Sequence, residues 1–300
     1  MDQKKLTAHL AVLGANVIFG LNYVIAKGIM PNWLEPRAII VLRVVGATAV
    51  FWLADLLGKA TTVNRKDMQR MFVAAFFGVA LNQIMFFEGL NLTTPINASI
   101  IMVGTPIFVL VMSHFIIGEK ITPVKSLGIA LGFAGAAFLI LRKGHLSLSG
   151  HTSLGNLLVF INASSYGLFL VLVKPLMYKY PPLTVMKWVF TFGLLFVIPV
   201  SWQQIAAADF GAIPFKIWLS ITYVIVFTTI LAYFLNNYSL KRISPAANSS
   251  YIYSQPVIAS LVALAAGKDR ITGNEIVAML LIFAGVFIVN KFPSPVKTIP

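Results

Sequence analysis

Polar side chains stand inside long apolar runs of this sequence at helical spacing. Asn16, Gly20, Tyr23 and Lys27 fall at i, i+4, i+7 and i+11, which is one face of a helix. Asn248, Tyr251 and Gln255 share a second face, and Asn82, Gln83 and Phe86, Asn162 and Tyr166, and Tyr233 and Asn237 form further sets. An amide donates and accepts from one position, and tyrosine adds an aromatic wall with a hydroxyl. In hydrocarbon such groups either glue helices together or line a polar cavity. Any single Asn serves either purpose, but so many amides exceed what interhelical glue requires. The set predicts a lining for a small zwitterionic or heterocyclic solute: Asn16, Tyr23, Asn82, Phe86, Tyr166, Tyr233, Asn237, Tyr251 and Gln255, with Met102 and Thr105.

The charged residues inside apolar runs are few. Arg43 and Lys187 are each a candidate counter-charge for a substrate carboxylate, a gate, or a snorkelling or end-capping cation. Lys27, at the end of its polar face, joins them as a charge candidate. Glu88 is either a proton carrier or the ion-pair partner of Lys27, Arg37 or Arg43, predicted at a similar depth, and that shared depth favours the ion pair. Pro106 and Pro256 sit mid-run, where each removes a helical hydrogen bond and kinks its helix. The kinks read equally as bending points for opening or as static packing features, with freed carbonyls available to a cavity.

Other chemistries lack residues. There is no cysteine, and His9, His114, His145 and His151 show no ligand spacing. No Gly-rich phosphate loop, Gly-x-Ser-x-Gly or pair of acids within one run is present. Neither a metal site, a cofactor, nucleotide hydrolysis nor membrane hydrolase chemistry is expected.

The elements that position these residues follow from composition. Of 300 residues, 58% are hydrophobic and 11% charged, and mean hydropathy is +0.86. That charge is too sparse to cover a water-facing surface, so the solvent is lipid. The net charge of +14 lies in short loops rather than on one face, which argues against nucleic acid. Ten apolar stretches of helical length run over 6–27, 36–57, 68–90, 95–117, 123–141, 154–173, 183–202, 213–235, 245–266 and 272–290. The first reads as an uncleaved span. Lys and Arg are twice as frequent on the side that holds both ends, so both termini are predicted cytoplasmic.

The chain also repeats itself. Shifted by about 150 residues, Pro95 falls on Pro245, Pro106 on Pro256 and Phe133-Ala134-Gly135 on Phe283-Ala284-Gly285. Gly20-x6-Lys27 likewise matches Gly167-x6-Lys174. With five spans in each of 1–143 and 144–300, the second half enters the membrane from the opposite face. Inverted repeats of this kind hold a site near the midplane between them. The expected class is an all-α integral membrane protein of ten transmembrane helices in two inverted five-helix repeats. The small-residue face Gly128, Gly132 and Gly135 permits close helix packing, within the chain by default or in a homodimer.

These landmarks resemble the EamA-type members of the drug/metabolite transporter superfamily. The resemblance is carried by Phe19-Gly20-Leu21-Asn22-Tyr23-x3-Lys27, Arg43, Thr93-Thr94-Pro95-x-Asn97-Ala98-Ser99, Thr105-Pro106 and Gly118-Glu119-Lys120-Ile121-Thr122. In the second half the last motif is blurred to Gly267-Lys268-Asp269-Arg270. What the resemblance implies is ten spans in two EamA repeats and a secondary transporter of small metabolites, often an exporter of amino acids or related compounds. Fold likeness does not name the substrate. The expectation is export by alternating access across an inner or plasma membrane, coupled to a proton or counter-solute. A passive facilitator or exchanger is the alternative, and a membrane-embedded enzyme or scaffold is disfavoured. The partners are a small solute and the lipid bilayer.

Overall fold

Proline and hydroxyl residues start these helices. The computed structural model describes residues 3–57, 61–143, 150–265 and 273–291, which form ten helical rods without a strand. They are α1 Gln3–Ile29, α2 Pro36–Leu56, α3 Arg65–Leu92, α4 Pro95–Ile117 and α5 Pro123–Lys143. The second five are α6 Gly150–Lys179, α7 Pro182–Ala206, α8 Phe215–Leu240, α9 over Pro245–Ser250, Tyr251–Tyr253 and Ser254–Ala265, and α10 Gly273–Lys291. The repeat is visible in the caps. Thr94 accepts from the Asn97 N–H and Ser244 from the Ala247 N–H, each followed by proline at the first helical position. Gly118 ends α4 in the left-handed region, φ 67°, which its missing side chain permits.

Seven rods are long and apolar enough to cross a membrane: α1 to α4 and α6 to α8. Helices α5 and α10 hold shorter apolar stretches, Pro123–Phe138 and Ile276–Lys291. Outward faces carry Leu53, Phe115, Leu195, Phe283 and Phe287, all exposed, an apolar girdle that suits lipid rather than water. The Gly267-Lys268-Asp269-Arg270 motif lies outside the described residues.

Packing respects the duplication. α2 lies on α7 and α5 on α10, while α3 on α6 is echoed by α8 on α1. Exchanging each rod with the one five places on maps these pairs onto themselves. The pairs run antiparallel, as inverted copies require. Arg37 of α2 reaches Val200 of α7, while Asp55 at the other end of α2 meets Lys187. In α5 and α10, Gly128 lies against Gly285 and Val289, and Gly135 against Ala278 and Ile282. A Cβ on Gly285 would stand 2.6 Å from the Gly128 carbonyl oxygen, so glycine is what lets these backbones touch. The small-residue face therefore packs inside the chain.

Two irregularities come in matched pairs. π-helical turns occupy Phe76–Leu81 in α3 and Val224–Leu231 in α8. Breaks interrupt α4 after Met102, and α9 at Tyr251–Tyr253, just ahead of Pro106 and Pro256. Neither proline can donate to the carbonyl four residues before it, which belongs to Met102 and Ile252 respectively.

Candidate functional site

The four interrupted helices surround one internal cavity. Its non-atom volume is about 530 Å³ with the open solvent at its mouth included. The wall is Phe19, Asn22 and Tyr23 from α1, Arg43 from α2, Asn82, Gln83 and Phe86 from α3 and Met102 from α4. The second half adds Asn162 and Tyr166 from α6, Thr228 and Tyr233 from α8, and Ile252 and Gln255 from α9. Met102 and Ile252, each four residues before its proline, therefore stand at equivalent places in the wall.

The helix irregularities are held by side chains that reach their loosened carbonyls. The Tyr233 hydroxyl lies 3.0 Å from the Gly78 carbonyl and 3.1 Å from Asn82 Oδ1. Ser165 Oγ donates to the Phe77 carbonyl at 2.6 Å, and Thr229 Oγ1 to the Val224 carbonyl at 2.8 Å. A widened turn exposes backbone acceptors, and these hydroxyls satisfy them where water is scarce. Further bonds fix the wall. Asn162 Nδ2 donates to the Asn82 carbonyl at 2.8 Å, and Thr228 Oγ1 to Asn22 Oδ1 at 3.2 Å. The Tyr23 hydroxyl donates to Gln255 Oε1 at 3.2 Å, and Gln255 Nε2 to Asn16 Oδ1 at 2.8 Å. Phe19 meets Tyr166 and Tyr233 edge-on, at 6.5 and 6.3 Å between ring centres. The Gln83 amide, 1% exposed, makes no direct hydrogen bond of ordinary geometry and lies beside the Tyr233 hydroxyl.

The structure brings together Tyr23, Asn82, Phe86, Met102, Tyr166, Tyr233 and Gln255 around this cavity, with Arg43 beside them. It sets four expected lining residues behind the wall. Asn16 supports Gln255 and donates to the Val12 carbonyl. Asn237 Nδ2 contacts Met186 Sδ and donates to the Tyr233 carbonyl. Thr105 is fully buried away from the cavity, and the Tyr251 hydroxyl bonds His9 Nδ1 at 2.9 Å. Phe19, Asn22, Thr228 and Ile252 are lining residues that sequence reasoning left out. The cavity face of α1 is the 19, 22, 23 edge, turned from the 16, 20, 23, 27 edge because Gly20 packs on the Gln255 backbone. Asn22 stood in the quoted motif, and Ile252 was findable as the residue four before Pro256.

The remaining charges sit outside the cavity. Glu88 Oε1 accepts from Arg37 Nε at 2.6 Å, with side chains 20% and 39% exposed. Lys187 Nζ lies 2.5 Å from Asp55 Oδ2 and over the Trp52 ring. Lys27 and Lys174 are twins: Lys27 Nζ donates to the Leu90 and Asn91 carbonyls at 2.9 and 2.7 Å, and Lys174 Nζ to the Leu240 and Ile243 carbonyls at 2.5 and 2.8 Å. Each closes the end of the π-containing helix of its half, α3 or α8. Their burial differs. Lys174 is 2% exposed while Lys27 is half-buried, so the packing is tighter at the Lys174 end.

Comparison with known proteins agrees with this architecture. The profile of the EamA-like transporter family matches residues 6–141 and again 153–291. The uncharacterized transporter YyaM of Bacillus subtilis (strain 168) is 25% identical over 94% of this chain and 93% of its own length. A protein of Streptantibioticus cattleyicolor described as a probable terminal-alkyne amino-acid exporter is 22% identical over 75% of this chain and 74% of its own. A solved structure superposes with a TM-score of 0.76 over 97% of both chains at 19% identity, a likeness of fold.

Proposed function

Because this chain belongs to the EamA-like transporter family, we propose that it is a multi-pass secondary carrier that exports small organic solutes, amino acids or related metabolites, by alternating access. One observation carries this reading. The polar cavity lies where the two halves meet, walled by α1, α3, α4, α6, α8 and α9 with Arg43 from α2. Inverted repeats hold their substrate at that junction, beside broken helices. The relative described as a probable amino-acid exporter supports the solute class. The loop cations support an orientation with both termini cytoplasmic, in an inner or plasma membrane on this reading.

The direct experiment is solute counterflow in proteoliposomes with labelled amino acids, nucleobases and amines. Trans-stimulated exchange is expected for at least one; a chain that moves none of them is not this carrier. The absence of native cysteine allows single-cysteine labelling of loops from either face, and a label reaching a terminus from outside would overturn the orientation.

One observation favours an exchanger without proton coupling. Among the described residues no carboxylate lines the cavity, and Glu88 is held by Arg37 outside it. Counterflow that persists in Glu88→Gln supports this form; concentrative uptake driven by a pH gradient and abolished in Glu88→Gln would exclude it.

A further inference from the structure

Resting on the carrier reading above, we infer that Arg43 is the counter-ion of the transported solute, and that the solute is an organic monocarboxylate recognised by its acid end and not by an amino group. Arg43 is 3% exposed and stands in the cavity wall. Its guanidinium stays charged in any protein setting. The side chain is aimed by two contacts. Its Nε donates to Thr229 Oγ1 at 2.7 Å, and its Cζ sits 4.6 Å from the centre of the Phe87 ring. The Thr229 hydroxyl hydrogen is already committed to the Val224 carbonyl, so its oxygen faces Arg43 only as an acceptor. This relay holds Nε of a side chain that lines the cavity, and it uses none of the terminal fork that suits a carboxylate.

Among the described residues no carboxylate pairs with this charge. Four acids near the spans are engaged elsewhere: Asp55 with Lys187, Asp67 with Lys179 and Tyr180, Glu88 with Arg37 and Glu119 with Lys125. A buried cation without a counter-charge is costly, and an anion brought into the cavity offsets that cost. The converse limits the ligand. With no carboxylate in the wall among the described residues, an ammonium group meets no counter-charge there. Phe19, Tyr23, Phe86, Tyr166 and Tyr233 supply flat apolar faces for the body of the molecule. The cavity selects an acid with an apolar or aromatic body, and the amino group of an amino acid adds little.

The test uses the full-length chain in detergent and four probes of one shape: 3-phenylpropionate, L-phenylalanine, 3-phenylpropanamide and 2-phenylethylamine. Binding is followed by ligand-induced thermal shift and competition, and transport by counterflow with a wider panel of acids, neutral solutes and amines. The two carboxylates are expected to bind within a few-fold of each other and about ten- to a hundredfold more tightly than the amide or the amine, the scale of a lost charge-assisted pair. Arg43→Gln should erase that gap, and Arg43→Lys should restore part of it. Thr229→Val keeps the cation but frees its aim. It should shrink the acid's advantage severalfold without weakening the amide, which gives the same readout if Arg43→Gln does not fold. An amine or amide that binds as tightly as the acid overturns the inference, as does an acid preference that survives Arg43→Gln. A chain that exchanges neutral or cationic solutes but ignores every carboxylate leaves the carrier reading standing and sinks this one. A chain that binds and moves nothing in the panel sinks both.

Discussion

The twin lysines allow a stability comparison inside one molecule. Lys27 and Lys174 each bond two carbonyls, Lys27 those of Leu90 and Asn91 near the end of α3 and Lys174 those of Leu240, the last residue of α8, and Ile243 just beyond it, and they differ in burial. Replacing either by Met keeps the stem and removes the ammonium. At Lys174 two charge-assisted bonds of about 1.5–3 kcal/mol each disappear, and the Leu240 and Ile243 carbonyls are left without them in a site that water does not reach. Relief of the buried ammonium's own desolvation returns part of this, so the net loss is about 2–4 kcal/mol. Around half-buried Lys27 water replaces the lost donor, and solvent already screens the charge, so the expected loss is about 1 kcal/mol or less. At about 2–4 °C per kcal/mol for a chain of this order of size, Lys174→Met should lower the melting temperature in detergent by roughly 4–16 °C and Lys27→Met by no more than about 4 °C. The assay is thermal unfolding of the two single variants at one scan rate. Equal losses, or a larger loss for Lys27→Met, would refute the claim that burial sets the difference.

Three more outcomes follow from the same geometry. Gly78→Ala places a Cβ 2.1 Å from the Phe169 ring within the α3 π turn, so roughly 1–3 kcal/mol of stability should be lost and largely regained in Gly78→Ala with Phe169→Leu, read by melting temperature. Lys187→Met strands Asp55 in a site where both side chains are about nine-tenths buried; it should cost roughly 3–5 kcal/mol, and the double variant with Asp55→Leu should recover most of it. A double variant no more stable than the single would end that account. Glu88→Gln breaks a partly exposed pair and should change the melting temperature by the equivalent of about 1 kcal/mol or less.

The sequence carried the ten rods and the duplication because both are written in one dimension, as runs of apolar residues and as a fixed offset. Much of the cavity was readable for a similar reason: Tyr23, Asn82, Tyr166, Tyr233 and Gln255 are polar groups in apolar runs, and most such groups face inward. Polarity does not, however, report the angle around the helix. Asn16 is as polar as Asn22, yet it stands behind the wall, because the turn of α1 is set by Gly20 against the Gln255 backbone; Asn237 of α8 is turned instead to Met186 and the Tyr233 carbonyl. The π turns escaped notice because Phe76–Leu81 and Val224–Leu231 are mostly apolar strings with no local signature. They persist because Tyr233, Ser165 and Thr229 bond the loosened carbonyls, two of them from a position close in space and distant in sequence. Asp55 as the partner of Lys187 was hidden likewise, since the pair joins one half of the chain to the other.

The contact of α5 with α10 separates two kinds of selection. Backbone lies against backbone at Gly128 and Gly285, and neither helix contributes a residue to the cavity. Mutation at that seam is judged by whether the frame still assembles, and, on the carrier reading proposed above, mutation along the inner edges of α1, α3, α8 and α9 by which molecule fits. The two judgements touch different positions, so the lining is free to drift while the frame stands still. That is how a chain only 19% identical to a solved structure superposes on nearly its whole length, and on the carrier reading proposed above it marks the lining, not the seam, as the place to retarget this protein.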